Sequence, residues 1–188
     1  MSASLPREYF EVLYADGADP WHFATSSYER AKYDATLAAL PMPRIGSALE
    51  IGCSIGVLTR RLAERCTTLL AVDIAENALA QARAACAASK NVTIARMRIP
   101  MDWPPGRFDV ILLSEVLYYL SVADLTQTAR RVRASLEPQG HVLLVHYILP
   151  TNYPATGDTA SEGFIAATGF APILQRREAA YRLDLLRA

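Results

Sequence analysis

Glu50, Gly52, Ser54, Gly56 and Asp73 are the residues of this chain best placed to do chemistry. They stand in two segments, Leu49-Glu50-Ile51-Gly52-Cys53-Ser54-Ile55-Gly56 and Ala71-Val72-Asp73-Ile74. Apolar residues run up to Glu50, small residues fill a tight turn, and a helical pattern begins immediately afterwards. A second apolar run then ends in an acid. This is the layout of a nucleotide-like ligand site at the first switch point of a parallel sheet. The small residues let the backbone approach a ligand, and the Asp73 carboxylate can accept two hydrogen bonds from a ribose diol. A dinucleotide turn reads G-x-G-x-x-G. Here Gly52-x-Ser54-x-Gly56 is followed by Val57, so the rhythm is wrong for NAD.

Such a turn needs a sheet to carry it. Strands are expected at Ala48–Ile51, Leu69–Ile74, Val92–Met97, Phe108–Ser114 and His141–Ile148, with helices at Val57–Arg65, Glu76–Ala88 and Leu125–Leu136. Short apolar runs alternating with helical patterns imply βαβ units and a mostly parallel sheet. Val110-Ile111-Leu112-Leu113 has no polar face and reads as a central strand. The first forty residues read as helical, broken at Asp16–Pro20. Ser26 or Ser27 would cap a helix with Tyr28, Ala31, Leu37 and Leu40 on one face. The tail reads as a short helix, Ala160–Thr168, then two strands, Ala171–Arg176 and Tyr181–Leu186. In the last strand Tyr181, Leu183 and Leu185 alternate with Arg182 and Asp184, a half-exposed pattern suited to an antiparallel hairpin.

Composition narrows the partners. The chain has 188 residues, 52% of them hydrophobic, with 19 basic and 19 acidic side chains. That is enough for one domain with its own core, and the balanced charge argues against nucleic acid or an anionic membrane as partner. Cys53, Cys66 and Cys86 show no CxxC spacing, so neither a disulfide framework nor a metal site is expected, and the three read as small apolar fillers. Met1–Glu11 carries Arg7, Glu8 and Glu11 and has no apolar signal region. No apolar run approaches a membrane span. A cytoplasmic protein is expected, of undetermined oligomeric state.

The first motif resembles the E/D-x-G-x-G-x-G pattern of class I S-adenosylmethionine-dependent methyltransferases, with Ser54 in place of the middle glycine. That resemblance implies a Rossmann-like α/β fold: a mostly parallel seven-stranded sheet closed by an antiparallel C-terminal hairpin, under an N-terminal helical lid. It implies one domain over 1–188, with the lid at 1–43, the cofactor-binding core at 44–148 and an acceptor-side segment at 149–188. The implied cofactor is S-adenosyl-L-methionine, leaving as S-adenosyl-L-homocysteine. By the same resemblance Glu50 organises the turn and meets the cofactor's amino group, Gly52, Cys53 and Gly56 form the turn, Asp73 holds the ribose, and Ser114 runs beside the methionine part. The sequence departs from the pattern after the third strand, where Met97-Arg98-Ile99 replaces the usual adenine-binding acid and Asp102 comes late. Backbone groups, with Ile74 and Ile99 on the ring faces, would then hold adenine; Arg98 is either a ligand contact or a solvated arginine.

Asp19-Pro20-Trp21, Tyr28-Glu29-Arg30, Tyr33 and Ser114-Glu115-Val116-Leu117-Tyr118-Tyr119-Leu120 resemble the nodulation protein S family more closely, over roughly residues 9–145. That family methylates a free amine of a deacetylated glucosamine in a chitooligosaccharide. A different small-metabolite acceptor, or a methyltransferase-fold protein that binds without turnover, are the alternatives. Methyl transfer from a sulfonium is an in-line displacement that needs alignment and dryness more than a triad. Glu115 is either a hydrogen-bond acceptor for cofactor or amine or a helix-start residue, and His146 is either a base or a satisfied structural residue. Tyr118 and Tyr119 offer aromatic walls, with one of the two expected to be simple core. Tyr33 and Tyr119 are expected on the cofactor, and Tyr118 on the acceptor. Trp21 is a candidate for sugar stacking, Trp103 for a loop anchor or a ligand wall, and Tyr153 for the acceptor loop.

Overall fold

The computed structural model describes residues 3–188. Met1 and Ser2, the start of the expected lid, lie outside the described residues. The chain runs through α1 (Arg7–Asp16), α2 (Ser27–Ala39), β1 (Ile45–Ile51), α3 (Val57–Ala63), β2 (Cys66–Asp73), α4 (Glu76–Ala85), β3 (Val92–Arg96) and β4 (Phe108–Ser114). A single 3-10 turn (Leu117–Tyr119) leads into α5 (Val122–Ser135), β5 (Leu136–Tyr147), α6 (Gly157–Thr168), β6 (Ala171–Arg177) and β7 (Tyr181–Arg187). The seven strands lie in the order β3-β2-β1-β4-β5-β7-β6. The first five are parallel, and β7 is antiparallel to both β5 and β6. The strand order reverses between β1 and β4, which opens a crevice at their carboxyl ends. Among the described residues no helix is long and apolar enough to cross a membrane.

β4 is central because its sequence leaves it no wet face: Val110, Ile111, Leu112 and Leu113 are all buried. Glu50 pairs in register with Ala71 on β2 and Leu112 on β4, so an acid is carried into the middle of the sheet at its upper end. Asp73 ends β2 one strand away.

Three expectations are corrected. Helix α2, capped by the Ser26 side chain, does not turn the Tyr28–Ala31–Leu37–Leu40 face inward as a whole: Leu37 and Leu40 pack on the core, Tyr28 and Ala31 are exposed, and the helix buries Glu29, Lys32, Tyr33, Thr36 and Ala39 instead. The charged face turns inward because its ions find partners there. β7 is not half-exposed, since it lies inside the sheet under α6. Arg182 and Asp184 are buried as a bidentate pair, with Nε and Nη2 donating to the two carboxylate oxygens at 2.9 and 3.0 Å. β5 begins at Leu136, directly after α5, because an irregularity lets Leu136 pair with Phe108 before regular pairing starts at His141.

Gly56 starts α3 with φ at +82°, and a Cβ there would lie 2.9 Å from the Cα of Ala82 on α4. The glycine thus sets how closely α3 and α4 pack. Gly56→Ala is expected to cost about 3 kcal/mol, combining left-handed strain with overpacking. Chemical denaturation checks this. An unchanged midpoint would contradict the close approach, and adding Ala82→Gly should restore only part of the loss.

Candidate active site

The turn after β1 is held by the strands beside it. Gly52 and Cys53 both donate their backbone N–H to the Val72 carbonyl, at 2.9 and 3.1 Å. Gly52 has φ +86°, and a Cβ there would meet the Ser114 carbonyl oxygen at 2.6 Å and Val116 at 2.4 Å. Only glycine fits. Ser54 is also left-handed (φ +49°) and is fixed at both ends. Its N–H donates to Asp73 Oδ2 at 2.9 Å, and its hydroxyl bonds the Tyr14 phenol of α1. Asp73 Oδ1 accepts from the Ala75 N–H at 3.0 Å. Each Asp73 oxygen therefore has one backbone partner and a second lone-pair direction left over. Burial raises the Asp73 pKa, partly offset by these N–H groups.

Glu50 has no such help. It is 1% exposed, and its Oε2 meets no donor with hydrogen-bond geometry; the neighbouring Thr59 hydroxyl is likewise without a bond. Burial pushes its carboxyl up to about 7, with Thr59 lowering it slightly and Asp73 adding to the rise. An unsatisfied carboxylate costs free energy, and one on a cavity wall is an invitation to a cationic N–H donor.

A cavity of about 480 Å³ joins these groups above the carboxyl ends of the strands. That size suits one small-molecule site. Its wall includes Tyr33, Glu50, Gly52, Cys53, Asp73, Ile74, Arg98, Ile99, Ser114 and Tyr119, all expected on the cofactor side. Among the described residues Gly56 is not on the wall; its role is the packing described above. Burial pushes the Cys53 thiol well up, so its contribution is backbone and shape. Asp102 does not replace the missing acid after β3, because it accepts the Arg98 N–H at 2.9 Å and closes that loop.

On the other side, Tyr118 and Tyr153 stack with centroids 5.3 Å apart at 12°, and Tyr119 meets Tyr153 edge-on at 4.7 Å. Both neighbouring tyrosines line the cavity, and Tyr118 is at the same time buried in the core, with Tyr119 packed against it. Trp21 lines the cavity too, packed on Tyr14 and stacked on Phe23, so it belongs with the residues that hold Ser54. Trp103 is an anchor only. Its indole N–H donates to Ser135 Oγ at 3.2 Å and it stands off the wall.

Neither expected catalytic side chain is free to take a proton. Glu115, left-handed at φ +56°, accepts from Lys32 Nζ at 2.6 Å, from the Tyr118 hydroxyl at 2.6 Å and from the Tyr147 N–H at 2.8 Å. Burial would raise its carboxyl, but Lys32 and these bonds bring it below the usual range. Glu115 is on the cavity wall as a positioning group, and the helix-start reading is corrected with it. His146 is fully buried and off the wall. Its Nε2 accepts the Leu117 N–H at 3.2 Å, Nδ1 faces the Ser161 hydroxyl, and burial lowers its pKa to about 4. It stays neutral and structural.

Sequence reasoning missed Lys32 and Tyr14, and passed over Glu29 as a mere motif letter. Lys32 bonds Glu29 Oε1 at 3.0 Å as well as Glu115, deep under α2. The Glu29–Lys32 spacing on a helix was visible. Glu115, which draws the pair inward, is 83 residues away in sequence.

The family model of nodulation protein S (NodS) matches residues 10–145. The nodulation protein S of Sinorhizobium fredii is 30% identical over 127 residues, covering 66% of this chain and 59% of that protein. The chain thus matches little more than half of that curated relative's length. A solved structure from Pseudomonas syringae, provisionally described as a methyltransferase, is 32% identical, covers 87% of this chain and all of that one, and has a TM-score of 0.78. The N-methyltransferase NodS of Bradyrhizobium japonicum, solved with S-adenosyl-L-homocysteine, is 21% identical over 96% of this chain and 97% of its own, with a TM-score of 0.84; that likeness speaks to the fold.

The Glu50 environment makes a stability prediction. With the folded carboxyl raised from 4.5 to about 7, the folded protein holds a proton that the unfolded chain has lost, so stability falls as pH rises through that window. The fall amounts to about 3 kcal/mol. Glu50→Gln should match the parent at pH 5 and exceed it by roughly 2 kcal/mol at pH 8 in ligand-free thermal melts. Parallel curves would contradict the unsatisfied carboxylate.

Proposed function

The chain belongs to the nodulation protein S family, and from that premise we propose that it is an S-adenosylmethionine-dependent N-methyltransferase acting on a free amine of a deacetylated glucosamine-containing chitooligosaccharide. The observation that carries the cofactor reading is the bond-lacking Glu50 oxygen on the wall of the cavity that also holds Asp73. The residues present fit such a group. Glu50 would take the amino end, Asp73 the ribose hydroxyls, and Ile74 and Ile99 the adenine faces. Gly52, with no Cβ, lets the turn pack against Ser114 and Val116 and so fixes the backbone beside the cavity. When bound, S-adenosylmethionine supplies a methyl group on cationic sulfur.

The chain's own part is then alignment and exclusion of water. Residues 1–43 would act as a lid, held over the cavity by Lys32 and by the Tyr14–Ser54 contact, 44–148 as the cofactor half, and 149–188 as the acceptor side of a single domain. The stacked Tyr118–Tyr153 pair is a flat aromatic surface of the kind a sugar ring packs on.

A second reading keeps the cofactor and changes the acceptor to another small metabolite. The match to the family ends at residue 145, before Tyr153 and the rest of the acceptor-side segment, and this favours it. A methyl-transfer screen separates the two. Transfer to chitooligosaccharides with a free terminal amine, and none to their fully acetylated counterparts, is expected. Equal inactivity on both would remove the saccharide reading.

A further inference from the structure

The acids on the cavity wall differ in how completely they are bonded. Asp73 accepts two backbone N–H groups, and Glu115 accepts three donors. Glu50 and Glu29 each keep one buried oxygen, Oε2, without a hydrogen bond. Glu50 lies in the sheet beside the glycine turn, on the nucleotide side. Glu29 lies on α2, and its neighbours lead to β7 and to the end of β5. Its neighbour Tyr28 packs edge-on against Tyr181 of β7, with centroids 6.2 Å apart. Through Lys32, Glu29 joins Glu115, which is in turn bonded by Tyr147 at the end of β5.

Glu29 is 6% exposed and lines the cavity. Lys32 fixes Oε1 at 3.0 Å, so the direction of the carboxylate is set while Oε2 stays unbonded. The charged and titratable groups around it are Lys32, Tyr28 and Tyr33 on α2 and Glu115 beyond β4, and Tyr33 in turn faces Glu50 on β1. Two carboxylates share one ammonium in the Glu29–Lys32–Glu115 cluster. The cluster therefore carries one negative charge in excess, and a cation placed beside it is favoured.

We propose that Glu29 receives the acceptor's ammonium group at Oε2 and takes up the proton that this nitrogen must lose before its lone pair can attack. The inference rests on the N-methyl-transfer reading above. The proton passes from R–NH3+ to the Glu29 carboxylate, giving R–NH2 and a neutral carboxyl. The nitrogen lone pair then forms the N–CH3 bond while the S–CH3 pair returns to sulfur, which loses its charge as nitrogen gains one. Glu29 afterwards releases one proton to water per turnover. Burial raises the basicity of Glu29, with Lys32 limiting the rise, and that suits a proton acceptor working near neutral pH. Glu115 and His146, with their acceptor positions filled, leave this task to Glu29.

The test is Glu29→Gln, which keeps the shape and a carbonyl oxygen for Lys32. With a deacetylated glucosamine tetramer as acceptor, kcat/KM at pH 6.5 should fall about 100-fold. The deficit should shrink roughly tenfold per pH unit up to the amine's own pKa, as free base becomes available from solution. Affinity for S-adenosylhomocysteine, read by calorimetry, should stay within about twofold. Glu29→Asp, should the Gln variant fail to fold, is expected to lose part of the rate and keep the parent's pH profile. A parent-like rate and profile in Glu29→Gln would overturn the assignment. So would a matching loss of S-adenosylhomocysteine affinity, which would leave Glu29 only the task of holding Lys32. An unmodified protein that methylates no amine would instead refute the N-methyl-transfer reading itself, a failure visible before any variant is made.

Discussion

The buried Lys32 ammonium, held between Glu29 and Glu115, is the contact on which the rest of the site depends. Its side chain is 3% exposed, so the charge is withdrawn from water almost completely. Burial alone would lower its pKa, and the two carboxylates more than reverse that and keep it charged. Breaking such a pair leaves carboxylates buried without a counter-ion, which typically costs about 3–5 kcal/mol. This contact turns the charged face of α2 inward and ties the helix to the end of β4. Because Glu115 also accepts the Tyr147 N–H, the end of β5 is drawn into the same knot.

The division of labour among the acids follows from this packing. One functional group serves four purposes because each carboxylate has a different set of donors. Asp73 is shaped by backbone N–H groups, Glu115 by a lysine and a phenol, Glu29 is half-bonded, and Glu50 has no donor of proper geometry. Fully bonded acids position their neighbours. Those with an unbonded oxygen are where a ligand's N–H groups would lower the free energy of the folded protein.

Local signals were readable in the sequence, and contacts between distant segments were not. The β4 span Phe108–Ser114 is the expected one, because an all-apolar run has one place to go in such a sheet. The glycine turn was readable because Gly52 must avoid Ser114 and Val116, and only a small-residue pattern does so. The inward face of α2 was not, since it is decided by Glu115 far along the chain. The same holds for Arg182 and Asp184, polar letters in an alternating strand that bury because they bond each other and α6 covers them. The choice between base and structural residue for His146 was not readable, because nothing in the sequence shows that the Leu117 N–H and Ser161 close on its ring.

Calorimetric titration of the ligand-free protein with S-adenosylmethionine tests the assignment of the cavity most directly. Saturable binding of one molecule per chain in the micromolar range is the predicted result. No saturable binding at high micromolar cofactor would contradict it, and would leave the glycine turn, Asp73 and the unbonded Glu50 without the ligand they are proposed to hold.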